Sequence, residues 1–156
     1  AFMSGKLGIV HGISHAVSAF YDTHHGLNCG IILPWAWMDA GAVKPEIMAQ
    51  VAEWMGESTT GLSKSESADR AVDAMARLLD DLESPTSFVE VAPYSNNRMG
   101  EGMYAKIGGK QIKGDQADID RIVKHIVDIG PFEFSAREMT EPRIRSMVPS
   151  AMLGAA

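Results

Sequence analysis

The amino-acid sequence predicts an all-α, multi-helix domain, and three observations carry that prediction. Apolar residues recur at helical spacing along most of the 156-residue chain. Helix start and stop signals fall between these stretches. Strand-like patterns are confined to residues 88–91, a short strand or an extended entry to a loop, and to a small hairpin near 104–112. We therefore expect about six or seven helices in a single helical domain spanning residues 1–156.

The first two predicted helices are separated by a break at residues 22–26. The first helix is expected to run from Ala1, without a cap, which suggests that further sequence precedes it. Gly26 can supply a positive φ in the break. Pro34 should kink or end the second apolar stretch, residues 27–38. The apolar face of the first helix comprises Phe2, Ile9, Val10, Ile13, Val17 and Phe20.

Four further helices follow, each with a local start signal. Pro45 opens the third, Ser63 and Glu66 form a capping box before the fourth, Asp115 caps the next, and Thr140 opens a short last helix that Pro149 weakens. The predicted inner faces are Ile47, Val51, Trp54 and Met55; Ala68, Ala71, Val72, Met75, Leu78, Leu79 and Leu82; Ile119, Ile122, Val123, Ile126 and Val127; and Ile144, Met147 and Val148.

Composition excludes several classes of function. Fourteen Lys and Arg against twenty Asp and Glu leave a formal charge of −6, so we expect binding neither to nucleic acid nor to an anionic membrane. No apolar run reaches the ~20 residues that a membrane span needs. Cys29 is the single cysteine, which excludes an intrachain disulfide and fits a reducing, cytoplasmic location.

Four of the five histidines lie between residues 11 and 25. His11 and His15 are spaced i,i+4 and project from one helical face, and a chain reversal after Asp22 would bring His25 back towards them. Converging imidazoles suit a divalent transition metal, although two such histidines can also simply occupy a wet surface. Neutral imidazoles alone supply no negative charge to balance a divalent ion, which usually also has a carboxylate or thiolate ligand. The local candidates are Asp22, read more simply as a turn residue, and Cys29, read as a small buried hydrophobe.

The histidine segment resembles a known metal-site signature. Residues 8–26, GIVHGISHAVSAFYDTHHG, followed by IILP at 31–34, are similar to the signature of the iron-containing (group III) alcohol dehydrogenases. Residues 44–56, 65–82 and 134–152 resemble more loosely the C-terminal helical half of the dehydroquinate synthase-like/iron alcohol dehydrogenase fold. Residues 96–114 match no pattern of the family.

The resemblance implies roles for individual residues. His11 and His25 match two ligands of a divalent metal, Fe²⁺ or Zn²⁺, and His15 matches a catalytic histidine that handles substrate or protons. His24 stands where the family often has proline and inherits no role, although it can act as an accidental extra ligand. Ser18 replaces a common glycine.

The function implied is that of the C-terminal metal-site domain, or a fragment, of an iron-type alcohol dehydrogenase. The complete enzyme would carry out metal-assisted, NAD(P)-dependent alcohol or aldehyde oxidoreduction. Two further ligands, an Asp and a His, and the N-terminal dinucleotide domain belong to upstream sequence that this chain does not contain. The chain alone is therefore predicted to be inactive, with metal weakly bound or absent.

Two alternatives stay open. One is a free-standing, non-enzymatic, oligomeric helical module with a vestigial or weak metal site. The other, a metal-free relative like maleylacetate reductase, is disfavoured because both ligand histidines are present. We also expect a homo-oligomer, because the face of the first helix and residues 31–37 would be exposed without upstream partners.

Overall fold

The computed structural model describes residues 7–91, 112–129 and 135–154. Six long helices make up most of this part: α1 (Ile9–Tyr21), α2 (His25–Gly41), α3 (Pro45–Trp54), α4 (Lys64–Asp81), α5 (Gln116–Ile129) and α6 (Glu141–Leu153). The described residues contain no strand, which confirms the all-α prediction. The predicted hairpin falls on residues 104–111, outside the described residues, and on Ile112. No helix among the described residues is long and apolar enough to cross a membrane.

Residues 88–91 form a helical turn, so the prediction of a strand or extended segment is wrong. Phe88 and Val91 are both completely buried. Their i,i+3 spacing puts two large apolar side chains on one face of a helical turn, whereas a strand would point them to opposite faces. Burial of both side chains in the same core therefore favours the helical conformation.

Local capping signals predicted the helix starts correctly. Pro45 is the first residue of α3, and the Ser63–Glu66 capping box is formed, with Ser63 N–H donating to Glu66 at 2.8 Å. The Asp115 carboxylate accepts from Asp118 N–H at 3.0 Å at the start of α5. At the N-terminus the prediction was wrong in part: Gly8 is the N-cap and α1 begins at Ile9, so the helix does not run continuously from Ala1.

Two prolines lie inside helices that continue past them. Pro34 does not end α2, which extends to Gly41, and Pro149 does not end α6. A proline inside a helix removes one hydrogen bond and crowds the carbonyl one turn earlier. Ile31 and Ile32, just before Pro34, are both buried in the core. Tertiary packing of this turn therefore holds α2 together against the local preference.

The core consists of two clusters of buried side chains. The main cluster joins α1, α2, the 88–91 turn, α5 and α6, whereas the second lies between α3 and α4 and is built mainly of alanine. The members of the main cluster are Ile9, Ile13, Ala16, Val17, Tyr21, Ile31, Ile32, Phe88, Val91, Ile112, Ile119, Ile122, Val123, Ile126, Ile144, Met147, Val148, Ala151 and Met152. The second consists of Met48, Ala52, Ala68 and Ala71.

Several predicted inner-face residues are exposed. Trp54 is 77% exposed and Ile47 55%, because α3 packs on α4 through Met48 and Ala52 instead. Small residues let the two helices approach closely, and this places the larger neighbours outside the contact. Leu78, Leu82 and Val127 are also exposed.

Much of the face that was expected to be exposed is instead covered within the chain. Ile9, Ile13 and Val17 are buried in the main cluster, as are Ile31 and Ile32. Phe2 lies outside the described residues. Val10, Phe20 and Trp35 are only half-buried, so the expected exposure is wrong for the central residues of the face, and the oligomeric state itself stays a prediction.

Candidate metal centre

A tight reversal joins α1 to α2. Asp22 adopts the left-handed conformation (φ 53°, ψ 36°) and its N–H donates to Ser18 O at 3.0 Å. The fully buried Asn28 side chain donates to Thr23 Oγ1 at 2.8 Å and to Ser18 Oγ at 2.9 Å, which ties the turn to both helices. The reversal was predicted, but Asp22 supplies the positive φ, and Gly26 is the second residue of α2.

The reversal brings three imidazoles together. The ring centroids of His11 and His15, one turn apart on α1, are 5.9 Å from each other, and each lies 5.1 Å from the ring of His25 at the start of α2. His15 and His25 are exposed and His11 is half-buried. The three rings thus meet at one solvent-accessible point on the surface of the main cluster.

The surroundings of His11 and His25 favour their neutral imidazole forms. Burial, followed by the nearby His25, lowers the pKa of His11. Burial, then His15 and His24, lowers the pKa of His25. A proton on His11 or His25 is therefore disfavoured, and a neutral imidazole keeps the lone pair that a metal ion requires.

Ser14 contacts His25 at both its ring and its backbone. The completely buried Ser14 hydroxyl donates to the backbone carbonyl of His25 at 3.1 Å, and its oxygen lies 2.8 Å from His25 Nδ1. A hydroxyl that donates to the carbonyl accepts from Nδ1–H, and in that tautomer Nε2 keeps its lone pair. Sequence reasoning missed Ser14. Its i,i+3 spacing from His11 places both residues on one face of α1 and could have indicated that Ser14 lies beside the cluster.

Cys29 is part of the same cluster. One ligand atom each from His11, His25 and Cys29 lie within 4.8 Å of one another, and Cys29 Sγ is 3.5 Å from His25 Nε2. The interpretation of Cys29 as a buried hydrophobe is therefore wrong, since it is half-buried and beside an imidazole. Asp22 is a turn residue, as expected. His24 is the N-cap of α2 and is not a member of this three-residue group.

The donor set fits a divalent transition metal. Two neutral imidazoles and one thiol are ligand types that zinc and the neighbouring first-row metals prefer, whereas Mg²⁺ and Ca²⁺ prefer oxygen. Histidines that bind a metal typically make a hydrogen bond through their other ring nitrogen, as His25 does to Ser14.

Comparison with known proteins identifies the class. The sequence model described as "Fe-containing alcohol dehydrogenase family, C-terminal" matches residues 1–96. The chain therefore belongs to the iron-containing alcohol dehydrogenase family, as the histidine signature implied.

Individual relatives agree with this assignment. The chain is 44% identical over 99% of its length to methanol:N,N-dimethyl-4-nitrosoaniline oxidoreductase from Amycolatopsis methanolica, of which it covers 36%. It is 39% identical to 1,3-propanediol dehydrogenase from Citrobacter freundii over 54% of the chain and 22% of that protein. A crystal structure of 1,3-propanediol oxidoreductase superimposes with a TM-score of 0.73 at 25% identity, covering 93% of this chain and 32% of the other. The chain thus spans about a third or less of the length of these relatives.

The two sequence relatives differ in how far they extend along the chain. The Amycolatopsis methanolica alignment covers nearly all of it, including residues 96–114, which matched no family pattern, whereas the Citrobacter freundii alignment covers little more than half.

Proposed function

We propose that this chain is the helical metal-site domain of a metal-dependent alcohol oxidoreductase. The observation that carries the proposal is the convergence of His11, His15 and His25 at the reversal between α1 and α2. His11 and His25 would hold the ion, and His15 would serve the substrate. The dinucleotide, NAD or NADP, and the remaining ligands would be bound by sequence outside this chain.

Each residue has a task that follows from its position. The bound metal would supply Lewis acidity at the oxygen of an alcohol or carbonyl substrate. Ser14 holds His25 in the tautomer that directs Nε2 into the cluster. His15 is exposed beside both ligand rings, so a ring nitrogen can accept the hydroxyl proton of the alcohol and release it to water.

The relatives indicate the class of substrate. The name of the relative that aligns along almost the whole chain specifies methanol, and that of the shorter match specifies 1,3-propanediol. Both are small primary alcohols, and we propose a substrate of that class. A single domain over residues 1–156, a cytoplasmic location and a homo-oligomer remain predictions.

The test separates ligand residues from the proton-handling residue. We expect His11→Ala and His25→Ala, made in the complete polypeptide that the gene encodes, each to lower bound metal and alcohol oxidation at least about tenfold. His15→Gln should retain the metal but lower kcat and change its pH profile. Metal content is measured by mass spectrometry of the purified protein.

His24→Ala is the matched control, since it removes an adjacent imidazole that is not in the three-residue group, and both quantities should stay near wild type. Full metal content in the His11→Ala/His25→Ala double variant would show that the ligands are wrongly assigned.

A further inference from the structure

We propose that a cavity between α2, α4 and the end of α6 binds a small aliphatic amine in its protonated form. The cavity has a volume of about 430 Å³, which is within the range of roughly 300–1,000 Å³ that is typical of small-molecule sites. None of the described residues that line it belongs to the histidine cluster. The site is therefore separate from the metal centre, and the inference goes beyond the proposed function.

The walls of the cavity are apolar and are held in place by the fold. Val72, Ala76 and Leu79 line it from one face of α4, at i, i+4 and i+7 spacing. Ile31 and Trp35 line it from α2, and Ile31 is a member of the main cluster. Because the walls are already packed, an alkyl chain that enters the cavity leaves water without having to order them.

Large apolar side chains at the rim extend this surface. Met38 is 53% exposed and Leu153 is 59% exposed, and both line the cavity. An exposed apolar patch that continues into a concave site is typical of a ligand-binding surface. An alkyl group in the cavity would cover part of both side chains.

The Glu90 carboxylate selects the charge of the ligand. Glu90 is the only charged side chain among the described residues that line the cavity, and it is exposed, so a ligand can reach it. Thr86 N–H donates to Glu90 Oε2 at 2.9 Å, which holds the carboxylate in place. An ammonium group would donate a charge-assisted hydrogen bond to this carboxylate, whereas an anionic ligand would be repelled. Apolar walls and a single negative charge therefore fit an aliphatic chain with a cationic head.

The alternative role for Glu90 is to cap the helical turn at residues 88–91 through Thr86. Glu90→Gln keeps an acceptor for the Thr86 N–H but removes the negative charge. This substitution therefore separates recognition of a charged ligand from capping of the turn.

The experiment compares hexylammonium, hexan-1-ol and hexanoate, which are alike in length and differ in charge. Binding of each probe to the complete polypeptide that the gene encodes is measured by isothermal titration calorimetry. We expect hexylammonium to bind about threefold to fivefold more tightly than hexan-1-ol, the effect of one partly exposed charge pair, and hexanoate to bind most weakly. Because an amine can also bind a metal ion, the titration is repeated with the His11→Ala/His25→Ala variant, and the affinity for hexylammonium should be the same.

Two substitutions locate the site. Glu90→Gln should lower the affinity for hexylammonium about threefold to fivefold and leave that for hexan-1-ol unchanged. Ala76→Phe places a ring in the cavity and should weaken binding of both probes. Asp73→Asn is the matched control, since it removes one negative charge from an exposed position of α4 that does not line the cavity, and it should change neither affinity.

Each other outcome would overturn the proposal. Equal affinities for hexylammonium and hexan-1-ol, or an affinity for hexylammonium that Glu90→Gln does not change, would contradict recognition of charge. Binding that survives Ala76→Phe, or that is lost in the histidine double variant, would place the probes elsewhere. If no probe bound, the cavity would not be a site for amines, and a change of oligomeric state in Ala76→Phe, measured by light scattering, would show that a second copy of the chain covers it. The metal assignment is tested separately by metal content, so it stands or falls independently of these results.

Discussion

The two hydrophobic clusters are built in different ways. The main cluster brings together large side chains from distant parts of the sequence, from Ile9 to Met152, whereas the second joins the neighbouring helices α3 and α4 through Met48 and three alanines. Long-range burial of large side chains provides most of the stabilisation in a domain of this size. The contact between α3 and α4, which we call the α3–α4 seam, is made mainly by small residues and therefore buries less apolar area. The stability of such a helical hairpin depends more on its helix caps and its connecting loop.

The metal centre lies on the main cluster. Ile13 and Val17 of α1 and Ile31 and Ile32 of α2 are completely or almost completely buried beneath the reversal. These contacts hold α1 against α2 at the crossing that brings the imidazoles together. We therefore expect substitutions that disrupt the main cluster to weaken metal binding, and substitutions in the α3–α4 seam to affect metal binding less.

The largest effect is expected from Phe88→Ala. Phe88 is completely buried in the main cluster, and its removal leaves a cavity among rigid neighbours, so the free energy of unfolding should fall by about 3–5 kcal/mol. Denaturant unfolding measures this loss. Leu82→Ala, at a 62% exposed position, is the control and should change stability by about 0.5 kcal/mol or less. Equal effects of the two substitutions would contradict the assignment of Phe88 to the core.

An intermediate effect is expected at Asp118, a buried carboxylate at the edge of the main cluster. Asp118 accepts hydrogen bonds from the Tyr21 hydroxyl and from the backbone N–H of Lys113 at 2.9 Å and Gly114 at 3.2 Å. Burial raises the pKa of Asp118, but these hydrogen bonds together with Arg121 outweigh burial and hold the pKa below its usual range. Asp118→Asn should lower the free energy of unfolding by about 2 kcal/mol at neutral pH.

The pH dependence of this effect has a definite sign. A carboxyl group whose pKa is lower in the folded protein stabilises it above the unfolded pKa of about 3.9, and that stabilisation disappears as pH falls through the folded pKa. The difference between wild type and Asp118→Asn should therefore narrow below about pH 4. Asp128→Asn, at an exposed position in the same helix, is the control. A difference that stays constant down to acid pH would show that Asp118 contributes through shape and not through charge.

Sequence predicted the helix bounds better than the helix faces, for a physical reason. A cap such as the Ser63–Glu66 box acts within one turn, so it can be read locally. The inner face of α3 depends on which partner it meets, and periodicity favoured the large Ile47 and Trp54 over the small Ala52. The prediction for α3 therefore had the correct start and the wrong face.

In the metal centre too, the features that depend on local sequence were predicted, whereas those that depend on tertiary packing were not. The spacing of His11 and His15 and the turn residues before His25 indicated convergence. Ser14 was not recognised as part of the cluster, and Cys29 was named as a candidate ligand but read more simply as a small buried hydrophobe, because both are small residues with ordinary structural roles. The angle at which α2 crosses α1 determines that their side chains meet His25, and that angle is set by Ile13, Ile31 and their distant partners in the main cluster.

The smallest effect is expected at the largest side chain of the α3–α4 hairpin. Trp54 is 77% exposed, so Trp54→Ala should change the free energy of unfolding by about 0.5 kcal/mol or less. Ala52 is completely buried in the seam, and Ala52→Leu inserts a side chain where the helices are close, which should lower stability by about 1–2 kcal/mol. Both are measured by denaturant unfolding, with Co²⁺ binding as a readout of the metal centre. Enlarging the smallest side chain is thus expected to do more harm than removing the largest, and neither should change Co²⁺ affinity, because the seam lies outside the main cluster. If Trp54→Ala proved the more destabilising of the two, the hairpin would instead depend on its outer face, and the division into two clusters would have to be redrawn around α3.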